Sequence, residues 1–218
     1  MRQRKAKDLD KRLEACSHLM IKEPDPTKWS NYFGRSADTY VEIGCGKGDF
    51  IIKKAQDNPR CNFIAIEGQE TVILRAMEKV LALEEEGVKL TNLRFMSTFV
   101  DNLHDFFEDD FLAGVYLNFS DPWPKARHAK RRLTHHKRLE NYAEVTRPGG
   151  CLEFKSDNDD LYDFSLEEIK TNDYPILEQT RDLHGSEYES RLTMTEYETK
   201  FSGRGKNINY VKVRLKSI

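Results

Sequence analysis

The feature that most narrows the fold of this 218-residue chain is an alternation along it of short apolar runs with longer amphipathic segments. A run of four to eight apolar residues that ends in turn chemistry suits a strand buried on both faces, and a longer segment with 3.6-residue periodicity suits the helix that crosses back over it. Strands are expected at 39–43 (Thr-Tyr-Val-Glu-Ile), 61–66, 92–96, 112–119 and 150–155, with helices at 48–57, 69–86 and 134–147. The last helix has Thr134 as its N-cap and is stopped by Pro148-Gly149-Gly150. Ile208, Tyr210, Val211, Val213 and Leu215 mark a final strand within 207–216. Such an order implies an α/β fold, a mostly parallel sheet with helices on both faces, whose functional loops gather at the carboxyl edge of the strands.

An apolar share of 38% supports one substantial core, and 33% charged residues imply a well-solvated exterior. Residues 1–30 read as a basic extension and linker, with Pro24 and Pro26 in a loop over 20–36, and residues 31–218 as one folded domain. The N-terminus has basic residues but no apolar stretch behind them, and no run of eighteen apolar residues occurs, so neither export nor a membrane span is expected. The four cysteines stand singly, as reduced cytoplasmic thiols do. His135 and His136 are adjacent, which on a helix turns them about 100° apart, so no metal site is expected of them.

The net charge of −2 conceals a polarised distribution. Residues 1–12 sum to +4 and residues 125–138 to +7, leaving −13 on the rest of the chain. Concentrated basic segments on an acidic body suit a protein that grips phosphates in one place.

Glu42-Ile43-Gly44-Cys45-Gly46-Lys47-Gly48 follows the first strand, and the second strand runs into Glu67 about twenty residues on. Glycines at alternate positions let backbone pass close under a ligand, while a carboxylate at the end of the second strand can accept both hydroxyl hydrogens of a ribose. Gly-x-Gly-x-Gly is not the dinucleotide pattern, and Gly48 stands where a Walker loop needs Ser or Thr. The acid before the glycines suits a cationic ligand with an amino acid group, a description that S-adenosylmethionine fits.

The fourth strand runs into Asn118-Phe119-Ser120-Asp121-Pro122-Trp123-Pro124, then Lys125-Ala126-Arg127-His128-Ala129-Lys130-Arg131-Arg132-Leu133. Two prolines stiffen the segment and place a carboxylate and an aromatic ring at the carboxyl edge. Bases stack on such rings, and the basic run can hold the phosphates on either side. Basic and aromatic chemistry beside a cofactor loop points to nucleic acid.

Val41-Glu42-Ile43-Gly44-x-Gly46-Lys47-Gly48, the Asp121-Pro122-Trp123 segment with its basic run, and Thr195-Glu196-Tyr197-Glu198 together resemble the bacterial tRNA (guanine-N7-)-methyltransferase family from about residue 30 almost to the C-terminus. The resemblance implies a Rossmann-like class I methyltransferase domain with a seven-stranded sheet, S-adenosylmethionine as donor and the variable-loop guanine of tRNA as acceptor. It assigns Glu42, Glu67 and Asp121 to the cofactor, and Asp121 also to catalysis. It assigns Lys125, Asp157 and Thr195, Glu196, Tyr197 and Glu198 to substrate, and the run Arg127, His128, Lys130, Arg131, Arg132 to RNA, with Trp123 as the stacking surface. Asp157 or Glu198 is the acid expected to accept the guanine N1 and N2 hydrogens.

One position departs from the family. An acidic residue usually follows the third strand near the adenine, and Phe99 stands there in this chain, with Asp101 two residues on. Two rival readings remain beside the resemblance. The Asp121-Pro122-Trp123-Pro124 chemistry is also close to that of amino-group methyltransferases, and an RNA-binding protein without catalysis could use the same scaffold. The sequence leaves monomer and homodimer equally open.

Overall fold

The computed structural model describes residues 7–202 and 206–217. Half of the basic N-terminal run, residues 1–6, lies outside the described residues. Among the described residues seven strands form one sheet: β1 (Thr39–Ile43), β2 (Asn62–Glu67), β3 (Leu93–Ser97), β4 (Leu112–Asn118), β5 (Thr146–Ser156), β6 (Ile176–Thr180) and β7 (Asn209–Arg214). Their order is β3-β2-β1-β4-β5-β7-β6, with β7 antiparallel to both of its neighbours and the other pairs parallel. The chain reverses its direction of travel between β1 and β4, which puts the crevice of an open α/β sheet at their carboxyl ends.

Alternation within the strands sorts their side chains into two layers. Val41, Ile43, Ile64, Ile66 and Leu117 pack on one face with the helices α5 (His136–Val145) and α6 (Asp159–Thr171). Phe63, Ala65 and Tyr116 pack on the other with α3 (Asp49–Asp57) and α4 (Glu70–Glu85). In α4, Ile73, Leu74, Met77 and Val80 recur at three- and four-residue spacing and are fully buried, which is why this stretch is a helix and why it lies where it does. Asn158 caps α6 by accepting from Leu161 N at 2.8 Å, and Asp159 and Asp160 occupy its first turn, where the helix dipole favours negative charge.

Four expectations need adjustment. Thr134 is not the cap of α5: its hydroxyl shares a 2.7 Å hydrogen bond with Ser165, and His135 is the residue that precedes the helix. Pro148-Gly149-Gly150 does not end that helix; α5 runs out at Val145 and the prolyl-glycyl stretch is the irregular start of β5, where pairing with β4 shifts register. Residues 20–36 are not wholly a loop. Met20 bridges to Phe95 of β3, and Trp29–Phe33 forms a short helix, α2, whose Trp29 is buried against Phe33, Phe107 and Phe111 and donates its indole N–H to Phe106 O at 2.8 Å. Part of the basic extension is also packed. Leu9 of α1 (Leu9–Ala15), Cys16 and Leu19 are buried with α4, and Arg12 pairs with Glu78. No helix among the described residues is long and apolar enough to cross a membrane.

Candidate active site

β1 opens into the glycine loop while the loop is still tethered to β2, because Gly44 N and Cys45 N both donate to Ile66 O, at 2.8 and 3.0 Å. Gly44, Gly46 and Gly48 have φ of 78°, 56° and 81°, the left-handed region that side chains disfavour. At Gly48 a second constraint applies, since a Cβ would lie 2.7 Å from that of Ala76 on α4. The Glu67 carboxylate accepts from Gly46 N at 3.2 Å and Gln69 N at 3.0 Å, so the acid at the end of β2 and the loop position each other.

Glu42 is 1% exposed. One carboxyl oxygen accepts from Asn118 Nδ2 at 2.8 Å and the other has no hydrogen-bond partner. Burial pushes this carboxyl up to about 8, against the opposing pull of Asn118 and the Lys155 ammonium. A buried acceptor with nothing to accept from is costly unless a ligand completes it. Glu42 and the glycine loop line a hollow of about 310 Å³, covered by Thr195, Glu196 and Tyr197, with Lys47 Nζ and Glu196 paired at 2.8 Å across its mouth.

Beside it lies a larger cleft of about 750 Å³, lined by Glu67, Phe99, Asp121, Trp123, Lys130 and Arg131 among others. Gly44, Asn118 and Phe119 line both spaces, so the glycine hollow and the cleft of the Trp-bearing segment lie side by side. Phe119 and Trp123 have φ of 52° and 41°, positions at which a bulky residue is strained and which concentrate at functional sites. Arg132 holds the strained segment in place. It donates to Pro122 O at 3.1 Å and Trp123 O at 3.2 Å, and its guanidinium lies 4.2 Å from the centre of the Phe164 ring. Arg131 stacks over the Trp123 indole at 4.8 Å and His128 meets that ring edge-on, while Lys125, Arg127 and Lys130 stay exposed. The basic run therefore divides into residues packed on the Trp123 segment and residues that face solvent, of which Arg127 donates to His128 Nε2 at 3.3 Å.

A family model described as "Putative methyltransferase" matches residues 36–211. The tRNA (guanine-N(7)-)-methyltransferase of Mesoplasma florum is 46% identical over 178 residues, 80% of either chain, and that of Bacillus licheniformis is 40% identical over the whole length of both. The chain belongs to the tRNA (guanine-N(7)-)-methyltransferase family. Its fold is that of methyltransferases more distantly related in sequence: the 16S rRNA methyltransferase KamB superposes with a TM-score of 0.65 at 12% identity, over 89% of this chain and 95% of that one. A Haemonchus contortus phosphoethanolamine N-methyltransferase, solved with S-adenosyl-L-methionine, superposes with a TM-score of 0.51 at 12% identity, over 89% of this chain and 54% of that one.

Within this family member the acids expected to meet the base are placed very differently. Asp157, just past β5, is partly exposed and accepts from the Tyr197 hydroxyl at 2.8 Å; the Tyr197 ring in turn packs tilted against Phe119 with 5.0 Å between ring centres. Glu198 is fully buried. Its carboxylate faces Lys155 Nζ at 3.3 Å, and one oxygen takes Thr195 N while Thr195 Oγ1 takes Glu198 N. That reciprocal pair is a capping box opening helix α7 (Glu196–Ser202), and Thr-x-x-Glu is its sequence signature. Of the two candidate acids, only Asp157 offers an oxygen to the outside. His184 Nε2 lies 3.1 Å from the other Glu198 oxygen, off the line of a hydrogen bond.

Several supporting residues stand on no motif. Lys155 is 1% exposed and donates to the carbonyls of Ser190 and Thr193 at 2.8 Å each, so it pins the segment leading to Thr195 onto β5. Arg138 donates to Val100 O at 2.9 Å and pairs with Asp101, which ties down the loop after β3. Phe99 in that loop is 76% exposed and lies over Gly68, where a Cβ would come within 2.3 Å of the ring. A run of charge and an alternation reveal Arg138 and Lys155 as a basic and an inward residue, but their partners come from distant elements.

Proposed function

We propose that this chain transfers the methyl group of S-adenosylmethionine to N7 of a guanine in the variable loop of tRNA. The observation that carries the reading is the shared lining of the two spaces: an extruded purine on the Trp123 side and a donor on the glycine side meet at Gly44, Asn118 and Phe119. When bound, S-adenosylmethionine supplies an electrophilic methyl carbon. The residues present fit it. The unpartnered Glu42 oxygen can take the ligand's positive end, the alternate glycines leave room for its body, and Glu67 can take its ribose hydroxyls. Phe99 stands where it can cover the adenine, with Asp101 engaged by Arg138.

N7 of guanine has a lone pair and no proton, so the displacement needs no general base. As the nitrogen–carbon bond forms, the carbon–sulfur pair stays with sulfur and the base becomes cationic. What this chain contributes is alignment and a negative charge at the right place. Asp121 supplies that charge, Arg131 and Trp123 hold the base, and Asp157 accepts from the guanine N1–H and N2–H edge that adenine lacks. Lys125, Arg127 and Lys130 hold the flanking phosphates.

The test is methyl transfer from labelled donor to unmodified tRNA. Label should appear in tRNA with the variable-loop guanine and not in tRNA lacking it, and nucleoside mass spectrometry should find 7-methylguanosine. A methylated amino group would support the amino-group reading instead, and failure to bind the donor in calorimetry would support a noncatalytic RNA-binding protein.

Donor binding should release a proton. In the free protein Glu42 is held neutral up to about 8, and a cationic ligand at its open oxygen favours the carboxylate. Affinity should therefore rise with pH, by up to about tenfold per unit below 8, and level off above it. Calorimetry in buffers of different ionisation enthalpy at pH 6.5 should show a buffer-dependent heat that vanishes above pH 9. The same raised value means that Glu42 favours the free folded state fully below the unfolded carboxyl value of about 4.3 and loses that contribution as pH rises through about 8.

Phe99→Ala should weaken donor binding about threefold to tenfold, the range of one aromatic stacking contact. Unchanged affinity in both Phe99→Ala and Phe99→Asp would remove this residue from the adenine site.

A further inference from the structure

A cluster away from the cleft has the composition of a metal site. His135, His136 and Glu168 each present one ligand atom, a ring nitrogen or a carboxylate oxygen, and these three atoms lie within 4.8 Å of one another. Adjacent histidines on a helix would diverge, but these are not both on one. His135 is the N-cap, with an extended ψ of 143°, and α5 starts only at His136, so the backbone turns between them and brings the rings to 4.1 Å centre to centre. Glu168 reaches the pair from α6, with its Oε2 2.9 Å from His136 Nδ1.

We propose that His135, His136 and Glu168 form a site for a divalent transition metal of the zinc class, which ties the start of α5 to α6. A tetrahedral ion with ligand bonds of about 2.0–2.2 Å needs its ligand atoms about 3.4 Å apart, so the three close onto it by side-chain rotation of about 1 Å. The ion takes the place of the His136 Nδ1–Glu168 hydrogen bond, Glu168 Oε2 also accepting from His136 N at 2.5 Å, and water completes the fourth position. His136 is 39% exposed and Glu168 18%, which leaves the ion a route from solvent to the buried His135. His135 Nδ1 accepts only a long bond, 3.4 Å from Lys137 N, so little is lost when that lone pair turns to a metal. Two nitrogen ligands select ions that favour imidazole over calcium or magnesium, which take oxygen ligands.

The site lies at the foot of the basic segment. Arg132, three residues before His135, rests on Phe164 of α6 and holds the Pro122 and Trp123 carbonyls. Thr134 is bonded to Ser165 of the same helix. An ion joining residues 135 and 136 to Glu168 would thus lock the stem of the segment that presents Trp123 and the phosphate-binding residues.

The test uses the full chain, freed of metal with a chelator and titrated with cobalt(II) as a visible probe, then with zinc(II) in calorimetry. One equivalent of cobalt should give a tetrahedral absorption band that zinc abolishes, and zinc should raise Tm. His136→Asn and Glu168→Gln should each weaken binding at least about tenfold. In chelator both variants should still melt in one cooperative transition, and zinc should raise Tm in the parent but not in them. In the unaltered protein, cobalt should shift the imidazole proton signals of His135 and His136 and leave those of His18 and His104 in place, a readout independent of whether the variants fold. Equal binding by the parent and both variants, signals shifted only at other histidines, or no band at one equivalent would each overturn the site.

Discussion

Replacing Asp121 with alanine should lower kcat by about 10²- to 10³-fold, the effect of removing one preorganised electrostatic contact from a developing charge. Asp121 lines the larger cleft just past the strained Phe119, on the side where the proposed reaction makes the base cationic. KM for tRNA should change little, because Trp123 and the basic run, which the proposed function assigns to RNA, are untouched. Asp121→Asn keeps the shape and one acceptor oxygen but not the charge. If the charge is what matters, asparagine should be nearly as slow as alanine in single-turnover assays. An alanine variant that turned over near the parent rate at saturating substrate would remove Asp121 from the chemistry.

Glu198→Ala should cost about 3–5 kcal/mol of folding stability, the loss seen when one member of a buried ion pair is removed and the other stays charged. Lys155 would be left at 1% exposure with two carbonyls and no counter-charge, while burial already pushes its ammonium value down and Glu198 pulls it up. Urea denaturation should show the fall in midpoint. The double variant Lys155→Met/Glu198→Leu should recover much of the loss, since it leaves no stranded charge. Recovery of stability without recovery of activity would show that the pair serves to hold Thr195–Tyr197 over the glycine hollow. A Glu198→Ala protein as stable as the parent would show the pair to be energetically idle.

Much of this arrangement could be read from local pattern. β1 falls at the residues its apolar run indicates, and β4, buried along its whole length, reads as the central strand it is. Gly44, Gly46 and Gly48 and the acid at Glu67 are what a loop under a ligand requires, and all three glycines adopt positive φ. β6 went unread because it is a short edge strand with Leu177 turned outward at 42% exposure, so its alternation carries no clean apolar face. The true start of α5 was hidden because Thr134 is a better cap than His135 by local preference, and only Ser165, from another helix, claims its hydroxyl. Glu198 shows the same limit in the site itself. Its role depends on Lys155, 43 residues away, and a motif cannot tell an acid that faces a base from one that faces a buried ammonium.

The left-handed conformations at Phe119 and Trp123 set this protein against its own robustness. Glycine or asparagine would relax either position at no steric cost, and a laboratory selection for heat resistance alone would drift toward them. Such a winner should melt later, and each relaxation would strip a ring from the lining of the larger cleft.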